Sequence, residues 1–559
     1  MNRAAFIFSL STVCTLISAN AIGFVWTEGP WCSESEVFSA PPYKIDIASF
    51  TNRGITSHVA DQIIDAATIW NHMPASISIS HGGNDGTCYG QNSICARNRP
   101  EDEAFEEDIY LLGYTDVVYD PAENCNLYYH QVIRADAGLG FTAATSKYAD
   151  TGFESVSIHE FGHSMTLGDG EPPDVTNGAL MSQSIISRAH TDDASGLISR
   201  YGYSLEQLKT RLAYGVNYTN GSLNTFLPIV QLAGYQFRSG GSRPSIVGNW
   251  HQGIGGSYNW DYAAVWTNYA TIMVALLRDG TDGALQVRAV ASIPQGYTVF
   301  SPSIAVGDAN QLLVVWKNYS TSQNNYISTA RIQVNAQGNG FDSITTSTLM
   351  PWQALSEPVV SFMPGRYRYI ISWVMDGTYV YDLLERHRIA AMVSMNSVGS
   401  AWQAPYTYEG NDPDFPEFVS SPWHAPALTC YNGLIMTSTC LMMYKQFRTS
   451  DTRWIDQQAF TIDAANTRLV ASTTDWSTWN YSHAELAITS SLYDWLFTHV
   501  YYNGGKGSMM YRLKRFSQGA GGHFRQYGTF ERPDMVSRVG FPVAYNYRTN
   551  RFRFLWIER

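Results

Sequence analysis

The chain has 559 residues and a net charge of −12, with 15% charged and 14% aromatic residues. That length allows several domains, each large enough to bury a core. An acidic balance without a long Lys/Arg run excludes a nucleic-acid partner, and few charges with many aromatics favour a strand-rich exported protein over a helical cytosolic one.

Residues 1–21 read as a secretory signal peptide. Asn2 and Arg3 supply a positive start, Ala4 to Ile17 is apolar, and Ala19-Asn20-Ala21 is a small-x-small cleavage site. No later segment offers the ~20 apolar residues of a membrane span, so the expected product is secreted and extracellular. Cleavage discards Cys14 and leaves Cys32, Cys88, Cys95, Cys125, Cys430 and Cys440. An even number in an oxidising compartment implies disulfides. Cys430 and Cys440 stand apart from the others and are expected to close a local hairpin. The other four allow three connectivities, of which Cys88–Cys95 with Cys32–Cys125 is preferred.

A strand is expected near Tyr43–Ile47, and further on comes the segment His159-Glu160-Phe161-Gly162-His163. On a helix, residues i and i+4 share a face one turn apart, so both imidazoles can reach one metal ion. Glu160 beside them has the chemistry of a general base. Downstream lie Asn177-Gly178-Ala179-Leu180-Met181-Ser182 and Thr191 to Gly202, with Asp192-Asp193 and Tyr201-Gly202. With the His-Glu-x-x-His segment, this order resembles the matrixin branch of the metzincin metalloproteases over roughly residues 24–205.

The resemblance implies an α+β metzincin-like domain over 22–205 and a zinc-dependent endopeptidase acting on extracellular proteins or peptides. It implies zinc held by His159, His163 and Asp169, Glu160 as base, and Met181 as a hydrophobic floor under the metal. Glu171 and His190 are the alternatives to Asp169. Calcium is a second cation for the family, and Glu106, Glu107 and Asp108 are the acids that would serve it. Thr166 and Asp169 stand where the family pattern has Gly and His. Because Thr disfavours positive φ, the helix is expected to run on and turn at Gly168.

After Gly202 the character changes. A helical segment, Ser204 to Ala213, is expected to pass into a linker spanning 206–235. From 236 to 559 short motifs recur: Arg243-Pro244-Ser245-Ile246, Ser301-Pro302-Ser303-Ile304, Glu357-Pro358-Val359-Val360, Ala425-Pro426-Ala427-Leu428, His483-Ala484-Glu485-Leu486 and Arg532-Pro533-Asp534-Met535. They begin 58, 56, 68, 58 and 49 residues apart. Each precedes an apolar strand with an aromatic near its end: Tyr262–Trp266, Leu312–Trp316, Tyr369–Trp373, Leu441–Tyr444, Trp495–Tyr501 and Phe552–Trp556. Repeats of that length suit one four-stranded sheet each, so an all-β, six-bladed β-propeller is expected, with β-sandwich domains as the plain alternative. Such a domain would bind a matrix, glycan or cell-surface ligand. Two other functions compete with the protease: a decayed binding or adhesion protein, and a glycosidase in the propeller, which would need paired carboxylates or an Arg cluster at the blade tops.

Overall fold

The periodicity beyond residue 243 is realised as antiparallel sheets arranged in a ring. The computed structural model describes residues 25–26, 30–31, 38–55, 59–71, 77–108, 111–136, 152–168, 181, 197, 200–201, 209–219, 222–226, 230–231 and most of 243–558. Residues 1–21, expected to be a signal peptide, lie outside the described residues, as do Cys32, Asp169, Glu171, His190 and the Asp192-Asp193 pair.

Six sheets, called blades here, have innermost strands Ser245–Gly248, Val299–Val306, Val359–Met363, Ala427–Cys430, Leu486–Ser490 and Val543–Asn546. Each packs against the next, and the sixth returns to the first, so the ring closes. The six aromatic-ended runs expected from the sequence all fall on the second strands, Tyr262–Asn268, Gln311–Asn318, Arg368–Met375, Thr439–Thr449, Asp494–Asn503 and Arg551–Glu558. The protein is mostly β-sheet, and its larger part is an all-β, propeller-like ring.

Burial explains the layering within a blade. In blade one the second strand is buried at every position, since sheets pack on both of its faces. In blade two the outermost strand, Phe341–Thr348, is Ser- and Thr-rich and exposed along nearly its whole length. Neighbouring inner strands are joined by hydroxyls. Ser301 Oγ accepts from Arg243 N–H at 3.2 Å, Ser303 Oγ from Val360 N–H at 3.1 Å, and Ser361 Oγ from Cys430 N–H at 3.0 Å. Ser490 Oγ donates to Cys430 O at 3.1 Å. A small hydroxyl thus satisfies backbone groups where adjacent blades diverge. The Cys430–Cys440 disulfide ties the inner and second strands of blade four.

Two expectations about the ends of the ring need correction. Lys209–Thr219 is a strand, neither the end of a helix nor a linker, and it pairs antiparallel with Arg551–Glu558. Blade six therefore runs from Ser222–Phe226 through Lys209–Thr219 and Arg551–Glu558 to Val543–Asn546, drawing strands from both ends of the repeat region. Its inner strand follows Pro542; Arg532-Pro533-Asp534-Met535 lies outside the described residues. With Pro542 as the sixth start, the positions 244, 302, 358, 426, 484 and 542 fall at near-even intervals, Ala484 replacing Pro in the fifth.

Where the composite blade six meets blade one, a buried charged cluster joins them. Asp279 Oδ1 accepts from Arg553 Nη2 at 2.7 Å and Nε at 3.1 Å, and neither side chain is exposed. Its other oxygen accepts from Tyr262 Oη and Asn546 Nδ2, both at 2.8 Å. Beside it, Arg548 holds Asp261 through Nε at 3.0 Å and Nη2 at 2.7 Å, and also donates to Asp279 O at 2.6 Å. Two carboxylates face two guanidiniums, and burial beside Asp279 pushes the Tyr262 phenol well above its usual range. Such a cluster costs little only while all members are present, because a lone buried charge is not compensated.

The N-terminal region contains a five-stranded sheet ordered His81–Gly83, Tyr43–Ile45, Ser93–Arg97, Cys125–Arg134, Gly113–Asp120. Its pairings are parallel except the last, which is antiparallel. Helices Val59–Asn71 and Gly152–Ser164 pack on each other, and the second also lies against the last two strands of the sheet. The Cys88–Cys95 disulfide forms, and Cys125 is also disulfide-bonded.

Asp279→Asn is expected to destabilise the protein by about 3–5 kcal/mol, since it strands the Arg553 charge. Asp342→Asn on the exposed outer strand is the control and is expected to stay within about 0.5 kcal/mol. Denaturant unfolding of both variants checks this.

Candidate functional site

Two places bring chemistry-bearing side chains together: the helix Gly152–Ser164 and the axis of the ring. On the helix, the His159 and His163 rings lie 4.9 Å apart at 86°, one turn from each other on one face. His163 Nδ1 is 2.9 Å from Leu167 O. Donation to that carbonyl orients the imidazole ring. Glu160 is buried, and its Oε2 accepts from Thr115 Oγ1 at 2.7 Å. Thr115 Oγ1 is also 3.1 Å from Glu160 O. Trp70 Nε1 donates to Ile158 O at 2.6 Å, Trp31 Nε1 to Ser164 O at 2.9 Å, and Gln131 Nε2 to Ser164 Oγ at 2.7 Å. Bonds from three elements therefore fix this helix in place.

The helix ends at Ser164 and the chain turns at Thr166, which takes φ 71°, not at Gly168 as the residue type suggested. A β-branched residue in that region costs on the order of 1–3 kcal/mol. Here the turn is held by Thr166 Oγ1 bonding Tyr201 Oη at 2.7 Å and by Arg200 Nη1 donating to Thr166 O at 2.9 Å. Burial pushes the Tyr201 phenol up to about 12, which keeps it neutral in this role. Leu167–Gly168 then pairs with Val25–Trp26.

Met181 is buried, and its sulfur lies where a Cβ on Gly162 would be, 2.0 Å away. The same Cβ would meet the Trp70 ring at 2.7 Å. Gly162 therefore lets Met181 and Trp70 approach the helix backbone. Glu106, Glu107 and Asp108 are exposed at the end of the short helix Glu103–Glu107. The nearby Asp102 carboxylate is occupied by Tyr89 Oη at 2.7 Å, Tyr114 Oη at 2.9 Å and Ala104 N–H at 3.1 Å.

Along the axis of the ring runs a cavity of about 100 Å³ lined by the inner strands of all six blades. Its polar lining includes Arg243, Ser245, Ser303, Ser361, Thr429, Thr489, Ser490 and Tyr547, and its apolar lining includes Trp250 and Phe362. No Asp or Glu is among the lining residues. Glu357 precedes the lining residues Val359 and Val360 in blade three and is partly buried. Among these residues the repeat motifs had marked Arg243, Ser245, Ser303 and Glu357, though as strand starts and not as a site. Tyr547 and Trp250 follow inner strands, and no motif announced them.

No family model and no curated protein matches the chain. Solved structures similar to it include an endo-arabinase from Bacteroides thetaiotaomicron, 12% identical, covering 52% of this chain and 95% of that chain with a TM-score of 0.31. A Trypanosoma rangeli sialidase is 12% identical over 57% of this chain and 54% of its own, with a TM-score of 0.34. An arabinofuranosidase from Fusarium graminearum is 10% identical over 54% of this chain and 85% of its own, also with a TM-score of 0.34. Likenesses at this level fix neither an activity nor a substrate for the chain.

The matrixin resemblance, and the zinc endopeptidase it implied, are corrected by these findings. No family model matches the chain, and the described residues contain no group of three or more His, Cys, Asp or Glu able to hold a metal ion. Locally, the two-histidine segment reads as a buried helix whose Glu160 binds Thr115 and whose His163 caps the following turn.

Gly162→Ala is expected to displace Met181 and Trp70 and cost about 1–3 kcal/mol by overpacking. Thermal unfolding, with tryptophan fluorescence reporting the Trp70 environment, checks it.

Proposed function

We propose that the ring is a six-bladed β-propeller acting on extracellular carbohydrate, as a glycosidase whose substrate enters the axial cavity. The observation that carries this reading is the lining itself: hydroxyls from blades one to five, with Arg243 and the aromatic rings of Trp250 and Phe362. Such a surface suits a hydroxyl-rich ligand, because each wall hydroxyl can both donate and accept. Glycoside hydrolysis needs two carboxyl groups, about 5–5.5 Å apart for retention or 6.5–9.5 Å for inversion. Glu357 is the proposed acid. In this reading the chain is secreted, consistent with residues 1–21.

A second reading, glycan binding without hydrolysis, is favoured by one observation: among the described residues the lining contains no carboxylate. The two separate experimentally. On a panel of plant and animal polysaccharides, the mature protein is expected to release new reducing ends from at least one. Glu357→Gln is expected to lower that rate on the order of 10²–10⁴-fold while binding persists. Binding with no release by the parent would select the second reading, and neither binding nor release would reject both.

We propose separately that His159 and His163 hold a divalent transition-metal ion, a statement about binding alone. Two imidazoles one turn apart on the same face of the helix support it. Elemental analysis of the purified protein is expected to find bound metal that is lost in the His159→Ala/His163→Ala variant. Equal metal in both would remove the proposal.

A further inference from the structure

Beside the N-terminal sheet, three oxygen donors from three separate elements meet at one point. Asp102 caps the short helix Glu103–Glu107, and its Oδ1 serves that cap by accepting from Ala104 N–H at 3.1 Å. Its Oδ2 accepts from both the Tyr89 hydroxyl at 2.7 Å and the Tyr114 hydroxyl at 2.9 Å. The two phenols also interact with each other, so the three oxygens form a closed triangle. Asp102 is 6% exposed and Tyr89 44%, so the cluster is anchored in the protein yet borders solvent.

Tyr89 is held there against its backbone preference. It takes φ 60° inside the loop closed by the Cys88–Cys95 disulfide, a region that bulky side chains rarely adopt. Tyr114 comes from the strand Gly113–Asp120, its ring edge-on to Phe105 at 5.6 Å. Two further side chains flank Tyr89. Arg97 Cζ lies 5.1 Å over the ring, and the His130 ring stands edge-on to it at 5.4 Å. Each keeps one buried nitrogen, Arg97 Nε and His130 Nδ1, without a hydrogen-bond partner.

We propose that Tyr89, Asp102 and Tyr114 bind a ferric ion through two phenolates and one carboxylate oxygen. The spacing suits an octahedral ion. With metal–oxygen bonds of about 2.0–2.1 Å, neighbouring oxygens stand about 2.8–3.0 Å apart. The distances from Asp102 Oδ2 to the phenols, 2.7 and 2.9 Å, are close to that edge. Binding releases the two protons that join the phenols to Asp102, so the hydrogen-bonded and coordinated states share one arrangement. Charge selects the ion. Two phenolates and a carboxylate carry three negative charges, which a trivalent cation neutralises. Calcium and magnesium also favour oxygen, but they do not readily displace the proton of a phenol whose ordinary pKa is about 10. The remaining coordination positions would go to water or a small anion, and Arg97 supplies positive charge that favours an anion.

The test titrates the chelator-stripped protein with ferric nitrilotriacetate at neutral pH. One ferric ion per chain is expected to bind, with a visible phenolate-to-iron charge-transfer band that imidazole and carboxylate ligands do not produce. Tyr89→Phe/Tyr114→Phe keeps both rings and removes both oxygens. It is expected to lose the band and to bind at least about tenfold more weakly. Where that variant does not fold, Tyr89→Phe alone, a change at the more exposed ring, is expected to diminish the band. His159→Ala/His163→Ala is expected to keep it, which separates this ion from one held by the helix. No band from the parent at saturation, or an undiminished band in a folded Phe variant, would overturn the proposal and leave the cluster as a hydrogen-bonded joint. Loss of the band in the double-histidine variant would overturn it equally, and displacement of the iron by calcium or magnesium would overturn the choice of a trivalent ion.

Discussion

Ring closure at blade six is the constraint on which the larger part of the molecule depends. A ring of sheets has no free seam only if its last sheet is bonded to its first, and here that last sheet is assembled from strands more than three hundred positions apart in sequence. The pairing of Lys209–Thr219 with Arg551–Glu558 supplies the backbone part of the closure. The Asp279–Arg553 and Asp261–Arg548 pairs supply the side-chain part, and they lie at the junction of blade six with blade one. Exposed ion pairs contribute little, but these carboxylates are removed from water and their oxygens are bonded by several donors at once. Charge pairing with fixed geometry also sets registry, since a slip of one residue would bury an unpaired guanidinium.

Closure in turn makes the axial cavity possible. The inner strands splay apart at the axis, and the space between them would be an empty void if apolar throughout. Instead the inner strands of blades one to five present small hydroxyls near the axis. Ser303 and Ser361 are already bonded to the next blade, so the lining is both part of the joint and part of the cavity wall. Gly248 shows how tight the joint is, for a Cβ there would stand 1.9 Å from Tyr545 O in blade six. The same residues that hold neighbouring blades together therefore set the width of the channel. This explains why a narrow cavity persists in an otherwise close-packed core.

Much of this architecture was legible in the sequence, and the failures have physical causes. The second strands could be read because they are buried on both faces and written as apolar runs ending in Trp266, Trp316 or Trp373. The sixth start was misplaced because Pro533 satisfies the same local pattern as Pro542, and only the sheet pairing distinguishes them. Lys209–Thr219 was read as a helix running into a linker although Leu212, Tyr214, Val216 and Tyr218 alternate with period two, a strand signal that the adjacent Gly- and Asn-rich stretch obscured. The clasp could not have been read at all. Asp261, Asp279, Arg548 and Arg553 are unremarkable singly and meet only because the ring closes.

The two-histidine helix teaches the opposite lesson, that a short motif specifies geometry better than chemistry. His159 and His163 do share a face, as their spacing requires, and Met181 does pack beneath the helix. Yet the spacing says nothing about what else arrives there. Thr115 reaches Glu160 from a strand 45 residues away in sequence, and Tyr201 stabilises a left-handed Thr166 from 35 residues downstream. Those contacts place a buried carboxylate and a strained turn beside the imidazoles by tertiary packing, which local sequence does not encode. Function attaches to such assembled neighbourhoods. In this chain one such neighbourhood, a cavity with hydroxyls along its wall, lies on the axis of the ring, built from residues that the sequence marked only as the beginnings and ends of strands.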